Sequence, residues 1–439
     1  MSTETGSSST AKGSGDLALD ITTMFLSSKQ QFSIGGLISV PDHLRKLDEQ
    51  AFTPLLISIG PIHHSNVKLQ TMKKCKVLFC ECFIQRANIN LQHLVHTIRD
   101  KEEEIRSYYA ETIVSSISSD DFVTMILVDG VFILEYFLRQ SNPCLFRNDP
   151  KMIAEWMHPI LKVDLVLLEN QLPFFVLEML FEQANFPAEL EFKPLSLREL
   201  AFEFFQCYNF QTNTPWRFNA QIEHFTDLLR FFYLGEEMPY KRSGAAKLSY
   251  SATQLHEAGV KLKGIEFDEK IGCYKGYRCF LDIRFNLNNG VLEIPCIKLN
   301  DEKIRLIRNI IALEQSHYVG DAYVTDFFVI LDFLIDNSKD VDLLCDKEIL
   351  VNYLGDSNAA ASAVNSLNTN VLWDYINHEY SKICEDLNAF YKKPWHRWKA
   401  TLWHQYFSTP WRSASTCAAI ILLLLTLTQT VCSLRSTKW

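Results

Sequence analysis

The chain has 439 residues and none of the short motifs that mark nucleotide-binding or hydrolytic enzymes. It has no G-x-x-x-x-G-K-[ST] to cradle a phosphate, no G-x-G-x-x-G after a strand, no H-E-x-x-H and no G-x-S-x-G. Sites assembled from distant residues escape such a search, so an enzyme remains the alternative to a non-enzymatic reading. The opening MSTETGSSSTAKGSGDLALD has no basic start and no apolar run, so a secretory signal is not expected, and no Gly follows Met1 for myristoylation. No Asn sits in a usable glycosylation triplet, because Asn213 and Thr214 are followed by Pro215. The twelve cysteines are irregularly spaced with no C-x-x-C, which points to free thiols in a reducing compartment. A net charge of −9 removes the overall basic footprint of a nucleic-acid binder, and no nucleic-acid partner is expected.

Charge is also missing from the end of the chain. From Ser413 to Leu434 the sequence SASTCAAIILLLLTLTQTVCSL has no ionisable side chain apart from its thiols. As a helix this spans roughly 30 Å, the thickness of a bilayer's hydrocarbon core. Ala418, Ala419, Ile420, Ile421, Leu422, Leu423, Leu424, Leu425, Leu427 and Val431 form its apolar body. A buried core helix is the competing reading, favoured by Thr426, Thr428, Gln429 and Thr430. The flanks favour a single transmembrane helix: Lys393, Trp395, Arg397, Trp398, Lys399, Trp403, Trp411 and Arg412 mix basic and amphipathic aromatic side chains as an interfacial belt does. Counting Lys392, five basic residues precede the span, and two, Arg435 and Lys438, follow it. The positive-inside bias then places the body in the cytosol, with membrane lipid as the partner of the tail.

The rest divides by composition. Residues 1–33 form a Ser/Thr/Gly-rich tail expected to be disordered. Residues 34–240 form a helical half, residues 241–391 a second half with a β-hairpin and helices, 392–412 the juxtamembrane segment and 413–434 the span. With 47% hydrophobic residues and thirty Phe, the chain can bury a large core. Leu69, Met72, Lys76, Phe79 and Phe83 recur at helical spacing. Phe122–Leu138 and Leu165–Phe181 are apolar on nearly every face, but Asp129 and Glu135 interrupt the first and Glu169, Asn170 and Gln171 the second. Both read as core helices rather than further spans, with Pro173 kinking or restarting the second. The polar stretch 235–250 reads as a loop. Next come two alternating arms around Asn289 and Gly290, a hairpin whose second arm Pro295 should place at a sheet edge or bulge. Helical spacing returns at Ile304, Ile307, Ile311 and Leu313, and in 327–335. The fold class expected is mainly α, a large helical body with one small antiparallel sheet plus the C-terminal helix.

Several blocks resemble one family. VPDHLR (40–45), FTPLLISIGPIHH (52–64), MILVDGVFILE (125–135), DLVLLENQLPFFVLE (164–178), ATQLHEAGVKLK (252–263), the stretch from LDIRF to RNIIALEQ (281–315), NYLG (352–355), and WKA and YFSTPW before the apolar tail are similar, in order, to the plant domain of unknown function 247, also called uncharacterised protein family 0481. Ile62, Lys73 and Val131 depart from its usual pattern. The resemblance implies a plant protein with a mainly helical body, a C-terminal membrane anchor and no assigned catalytic group.

No residue is singled out as catalytic, cofactor-binding or metal-ligating, and no cofactor is expected. His63 and His64 follow a Gly-Pro turn, yet adjacent side chains point apart and two imidazoles do not complete a metal site. Cys80 and Cys82 diverge on a helix in the same way. Asp129, Glu169, Asn170, Gln171 and Glu314 are polar groups in apolar surroundings, where a carboxylate needs a partner or a shifted pKa. Glu169 reads as a buried structural pair, with Arg198 or Arg308 as candidate partners, in preference to a general acid–base residue. The function expected is a membrane-anchored interaction or signalling module with a protein partner. A membrane-bound enzyme with a pocket between the two halves is the alternative.

Overall fold

The computed structural model describes residues 38–143, 153–186, 195–210, 221–234, 242–245, 247–268, 273–274, 277, 279–372, 375–393 and 410–436. The helices of eight or more residues in the first part of the chain are α1 (Lys73–Arg86), α2 (Leu91–Asp100), α3 (Ser119–Ser141), α4 (Met157–Asp164), α5 (Phe174–Glu182), α6 (Leu197–Phe204) and α7 (Phe225–Tyr233). In the second part they are α8 (Asp301–His317), α9 (Tyr323–Leu334), α10 (Ser338–Asp346), α11 (Ser357–Leu367), α12 (His378–Lys392) and α13 (Pro410–Ser436).

The near-continuous apolarity of 122–138 follows from its place. The central helix α3 is surrounded by α1, α2, α5 and α6, so almost every face is covered. Ser118 Oγ accepts from Asp121 N at 3.2 Å, while Asp120 and Asp121 complement the positive end of the helix dipole. The two charges inside its apolar run are paired from neighbouring turns and helices. Asp129 meets Lys76 Nζ at 2.5 Å, and Glu135 meets Arg86 at 3.2 Å and Arg139 at 2.9 Å. A second group of helices gathers on α8, which contacts α7, α9 and α11. One buried apolar cluster contains side chains from both groups, among them Phe132, Phe225 and Phe327.

The segment 165–181 is helical only beyond Pro173, where α5 begins; residues 165–172 are irregular yet fully buried. Pro173 cannot donate to a preceding turn, and the first helical turn tolerates that loss.

Strand structure exceeds a single hairpin. The strands are β1 (Arg242–Gly244), β2 (Lys261–Ile265), β3 (Phe267–Asp268), β4 (Cys273–Tyr274), β5 (Arg284–Asn286), β6 (Val291–Pro295), β7 (Ile297–Leu299), β8 (Leu350–Asn352) and β9 (Ile376–Asn377). The expected hairpin is β5–β6, antiparallel, with Gly290 in the left-handed region at φ 66° and its N–H bonded to Asn286 O at 2.8 Å. However, β2 adds to β6 in parallel, so the arm expected at an edge is the middle strand. Pro295 is tolerated because it ends that strand, beyond the last residue paired to β5. One residue later the chain enters β7, which pairs in parallel with β8 in another small sheet. The stretch 235–250, expected as a loop, contains β1, which pairs with β9.

A Cβ placed on Gly290 would lie 2.7 Å from Cζ of the buried Phe390, in addition to the strain of its positive φ. Gly290→Ala is expected to cost about 1 to 3 kcal/mol, read from denaturant unfolding of the detergent-solubilised chain.

Candidate functional site

Asp129, Asn170 and Gln171, with Asp164, converge on two largely irregular segments, 52–61 and 164–173, buried except at Thr53, Leu55 and Leu56. Buried backbone outside helices and sheets needs hydrogen-bond partners, and here side chains supply them. The Asp164 carboxylate accepts from three successive amides, Leu55 N at 2.9 Å, Leu56 N at 2.7 Å and Ile57 N at 3.0 Å. Asn170 accepts from Ile59 N at 2.6 Å and donates to Ile57 O at 3.0 Å and Asp164 O at 2.9 Å. Gln171 donates to Leu165 O and Leu167 O, at 2.7 and 2.9 Å, and accepts from Phe225 N at 2.9 Å. Asp129 takes Gly60 N at 2.9 Å alongside Lys76, whose ammonium also donates to Ser58 O. Gly60 has φ 70°, and a Cβ there would stand 2.7 Å from Gln171 O, so only glycine fits between the two segments.

Glu169 has different neighbours from those expected. Its Oε2 lies 3.4 Å from Arg45 Nε and 3.8 Å from His63 Nε2, and its Oε1 accepts from Val40 N at 3.4 Å. Arg198 pairs instead with Glu178, and Arg308 with Asp48. Arg45 Nε, His63 Nε2 and Glu169 Oε2 face one another without forming a hydrogen bond. Burial raises the Glu169 carboxyl and Arg45 opposes the rise. Burial, helped by Arg45, lowers His63 from 6.5 to about 4 and keeps the imidazole neutral near pH 7. His64 is only half-buried and its carbonyl accepts from Gln70, so the two imidazoles occupy separate environments. Glu314 caps the start of α9, accepting from Val324 N at 3.2 Å and Thr325 N at 2.7 Å, and pairs with Arg230 at 3.0 Å. Cys80 is buried and Cys82 half-buried on α1, and among the described residues no three His, Cys, Asp or Glu side chains gather as metal ligands.

A cavity of about 590 Å³ is lined from both sequence halves by residues that sequence reasoning did not single out, including Phe210 and Tyr233 on one side and Phe280, Ile297 and Lys303 on the other. Lys303 Nζ stands 4.2 Å from the centre of the Phe210 ring and 5.8 Å from that of Tyr233. Burial pushes its ammonium down to about 8. In sequence Lys303 is one more charge in the first turn of a helix, and its setting depends on residues about 70 to 95 positions away. Neither this cavity nor one of about 300 Å³ beside Tyr250 and Asp332 is lined by Glu169 or His63.

The C-terminal helix α13 contains Ala414–Ser433, twenty residues with mean hydropathy 1.9 and none buried against the body. It is long and apolar enough to cross a membrane. Leu422, Leu423 and Leu427 are all exposed, in contrast to the covered apolar side chains of α3. Of the expected interfacial belt, Lys393 and Trp411 are exposed; Trp395, Arg397, Trp398, Lys399 and Trp403 lie outside the described residues, as does the Arg412 side chain. The 1–33 tail is outside them too.

Two measurements probe the buried network. Lys76→Met leaves the Asp129 carboxylate buried with one amide donor, and about 3 to 5 kcal/mol of unfolding free energy should be lost; adding Asp129→Asn should return part of it. For His63, the unfolded chain binds a proton below pH 6.5 that the folded chain refuses until about pH 4. Its contribution is therefore present above pH 6.5 and declines as pH falls towards 4, by up to about 3 kcal/mol. The raised Glu169 carboxyl tilts the opposite way, so the readout is the difference between wild type and His63→Asn, whose stability should fall less steeply across that window.

A family model described as a plant protein of unknown function matches residues 37–425. The UPF0481 protein At3g47200 of Arabidopsis thaliana is 26% identical over 427 residues, covering 90% of this chain and 86% of its own. The putative UPF0481 protein At3g02645 of the same plant is 21% identical over 484 residues, covering 89% and 88%. No solved structure matches the chain. Nearly the whole body, and most of the apolar stretch after it, thus lies within one match, and the chain belongs to the plant family of domain of unknown function 247.

Proposed function

We propose that this protein is a tail-anchored interaction or signalling module, with α13 in a bilayer and the helical body on the cytosolic side. The observation that carries the reading is the uncovered Ala414–Ser433 stretch. In water its leucines would form an apolar surface far beyond the scattered exposure normal for soluble proteins, whereas lipid covers every face. Its polar residues are partly accommodated within the helix. Thr426 Oγ1 donates to Leu422 O at 2.8 Å, Thr428 Oγ1 to Leu424 O at 3.0 Å and Thr430 Oγ1 to Thr426 O at 2.7 Å. Such back-bonding lowers the cost of a hydroxyl in hydrocarbon. The excess of basic residues before the helix supports the cytosolic orientation. Tethering would raise the effective concentration of the body for a membrane-associated protein partner.

The cavity beside Lys303 favours a second reading, a body with a small-molecule site between its two sequence halves, enzymatic or sensory. The two are compatible, since the tail fixes location and the cavity concerns the body.

Fractionation of plant cells tests the anchor. The full chain should sediment with membranes and resist alkaline carbonate, a chain lacking residues 413–434 should move to the supernatant, and added protease should digest the body on sealed vesicles. A full chain that stays soluble without detergent or aggregation would overturn the reading.

A further inference from the structure

Lys303 is unusual among the cations of this body. Several buried or half-buried ones have oxygen partners, Lys76 with Asp129, Arg86 with Glu135, Arg230 with Glu314 and Arg242 with Asp326, while the half-buried Lys162 meets the Cys207 sulfur and the Phe204 ring. Among the described residues the Lys303 ammonium has no hydrogen-bonded or ion-paired partner; it faces the rings of Phe210 and Tyr233 and feels the Glu302 carboxylate at longer range. Glu302, its neighbour in sequence, is engaged by the Tyr208 hydroxyl at 2.5 Å. An aromatic face returns only about 0.5 to 2 kcal/mol to a cation, and the half-buried Lys303 keeps part of its hydration on the cavity side. Part of the lining is aromatic, where Phe210 and Phe280 stack at 4.8 Å and Phe267 meets Phe210 edge-on at 5.9 Å, and part is polar, with Gln206 and Asn209. Charge at the rim is balanced between the exposed Lys298 and Glu266. A volume of about 590 Å³ lies within the usual range for organic ligands.

We propose that this cavity binds a small organic anion, a carboxylate on a planar apolar body, with the Lys303 ammonium as its counter-charge and Phe210, Phe267 and Phe280 packing against the body. The carboxylate supplies the acceptor oxygens that the ammonium lacks, in surroundings where a charge-assisted bond is strong. The ring or conjugated part replaces water over the aromatic walls. The inference deepens the second reading given above and is independent of the anchor.

The test uses the full chain in detergent, so that its outcome does not depend on whether the tail enters a bilayer. The probe is 1-naphthoate, with uncharged 1-naphthamide as its neutral counterpart, each titrated calorimetrically against protein and against detergent alone. Wild type should bind 1-naphthoate saturably at one site, and Lys303→Met should weaken it by about tenfold or more while leaving 1-naphthamide unchanged. Lys303→Arg, which keeps the charge, should retain most of the affinity, and Phe210→Ala should weaken both probes. Lys303→Met should melt no lower than wild type, because it removes an unpaired ammonium, and this separates loss of the site from loss of the fold. Absence of 1-naphthoate binding to wild type, or equal affinity in Lys303→Met, would overturn the proposal.

Discussion

The body depends on supplying hydrogen-bond partners to chain that is buried without being helix or strand. Segments 52–61 and 164–173 run through the core for most of their length, surfacing at Thr53, Leu55 and Leu56, and each unmet buried group there would cost about one to a few kcal/mol. Asp164, Asn170, Gln171 and Asp129 meet those groups directly, and Asn309 joins from α8 by accepting from Leu168 N at 2.8 Å and donating to Ala51 O at 2.9 Å. The surrounding helices can pack as an apolar bundle because these few polar side chains have solved the problem at its centre.

This arrangement also accounts for what could be read in sequence. The run Glu169–Asn170–Gln171 stood out because polarity inside an apolar segment demands partners, and Pro173 marked where a helix must begin anew. The central helix, the helices from Ile304 onwards, the Asn289–Gly290 turn and the apolar tail were legible because spacing, turn chemistry and length are local properties. The partners of Glu169 were not. Arg45 and His63 lie more than a hundred residues earlier, and nothing in their local pattern distinguishes them from Arg198 or Arg308. The parallel pairing of β2 with β6 was hidden for the same reason, since a parallel ladder joins strands through a long connection that leaves no turn signature. Lys303 is the extreme case: its significance comes from rings supplied by two other parts of the chain.

Two kinds of buried charge therefore coexist. Asp129 and Glu314 are surrounded by donors and hold backbone or helices in place, a closed arrangement with little left to offer a ligand, while Glu135 holds Arg86 and Arg139 through one oxygen only. The Arg45–His63–Glu169 group and Lys303 retain unused bonding capacity, but only Lys303 adjoins a cavity described here. Perturbed ionisation alone would not have separated these cases, because burial shifts His63 and Lys303 alike. Geometry separates them.

The last body helix, α12, has a mechanical consequence. It is riveted to the strand region at several points: Ser381 Oγ donates to Ala245 O at 2.9 Å, Asn388 Nδ2 to Lys247 O at 2.7 Å, Phe390 sits edge-on to Phe285 at 5.9 Å, and Tyr391 stacks on Tyr250 at 3.5 Å. Sixteen residues separate Lys393 from Pro410, a stretch that can span at most about 60 Å. Were the tail held in a bilayer, a pull on it that reached α12 would pass through these contacts to residues 245–250 and to β5, so the load would enter the body in the second half of the chain.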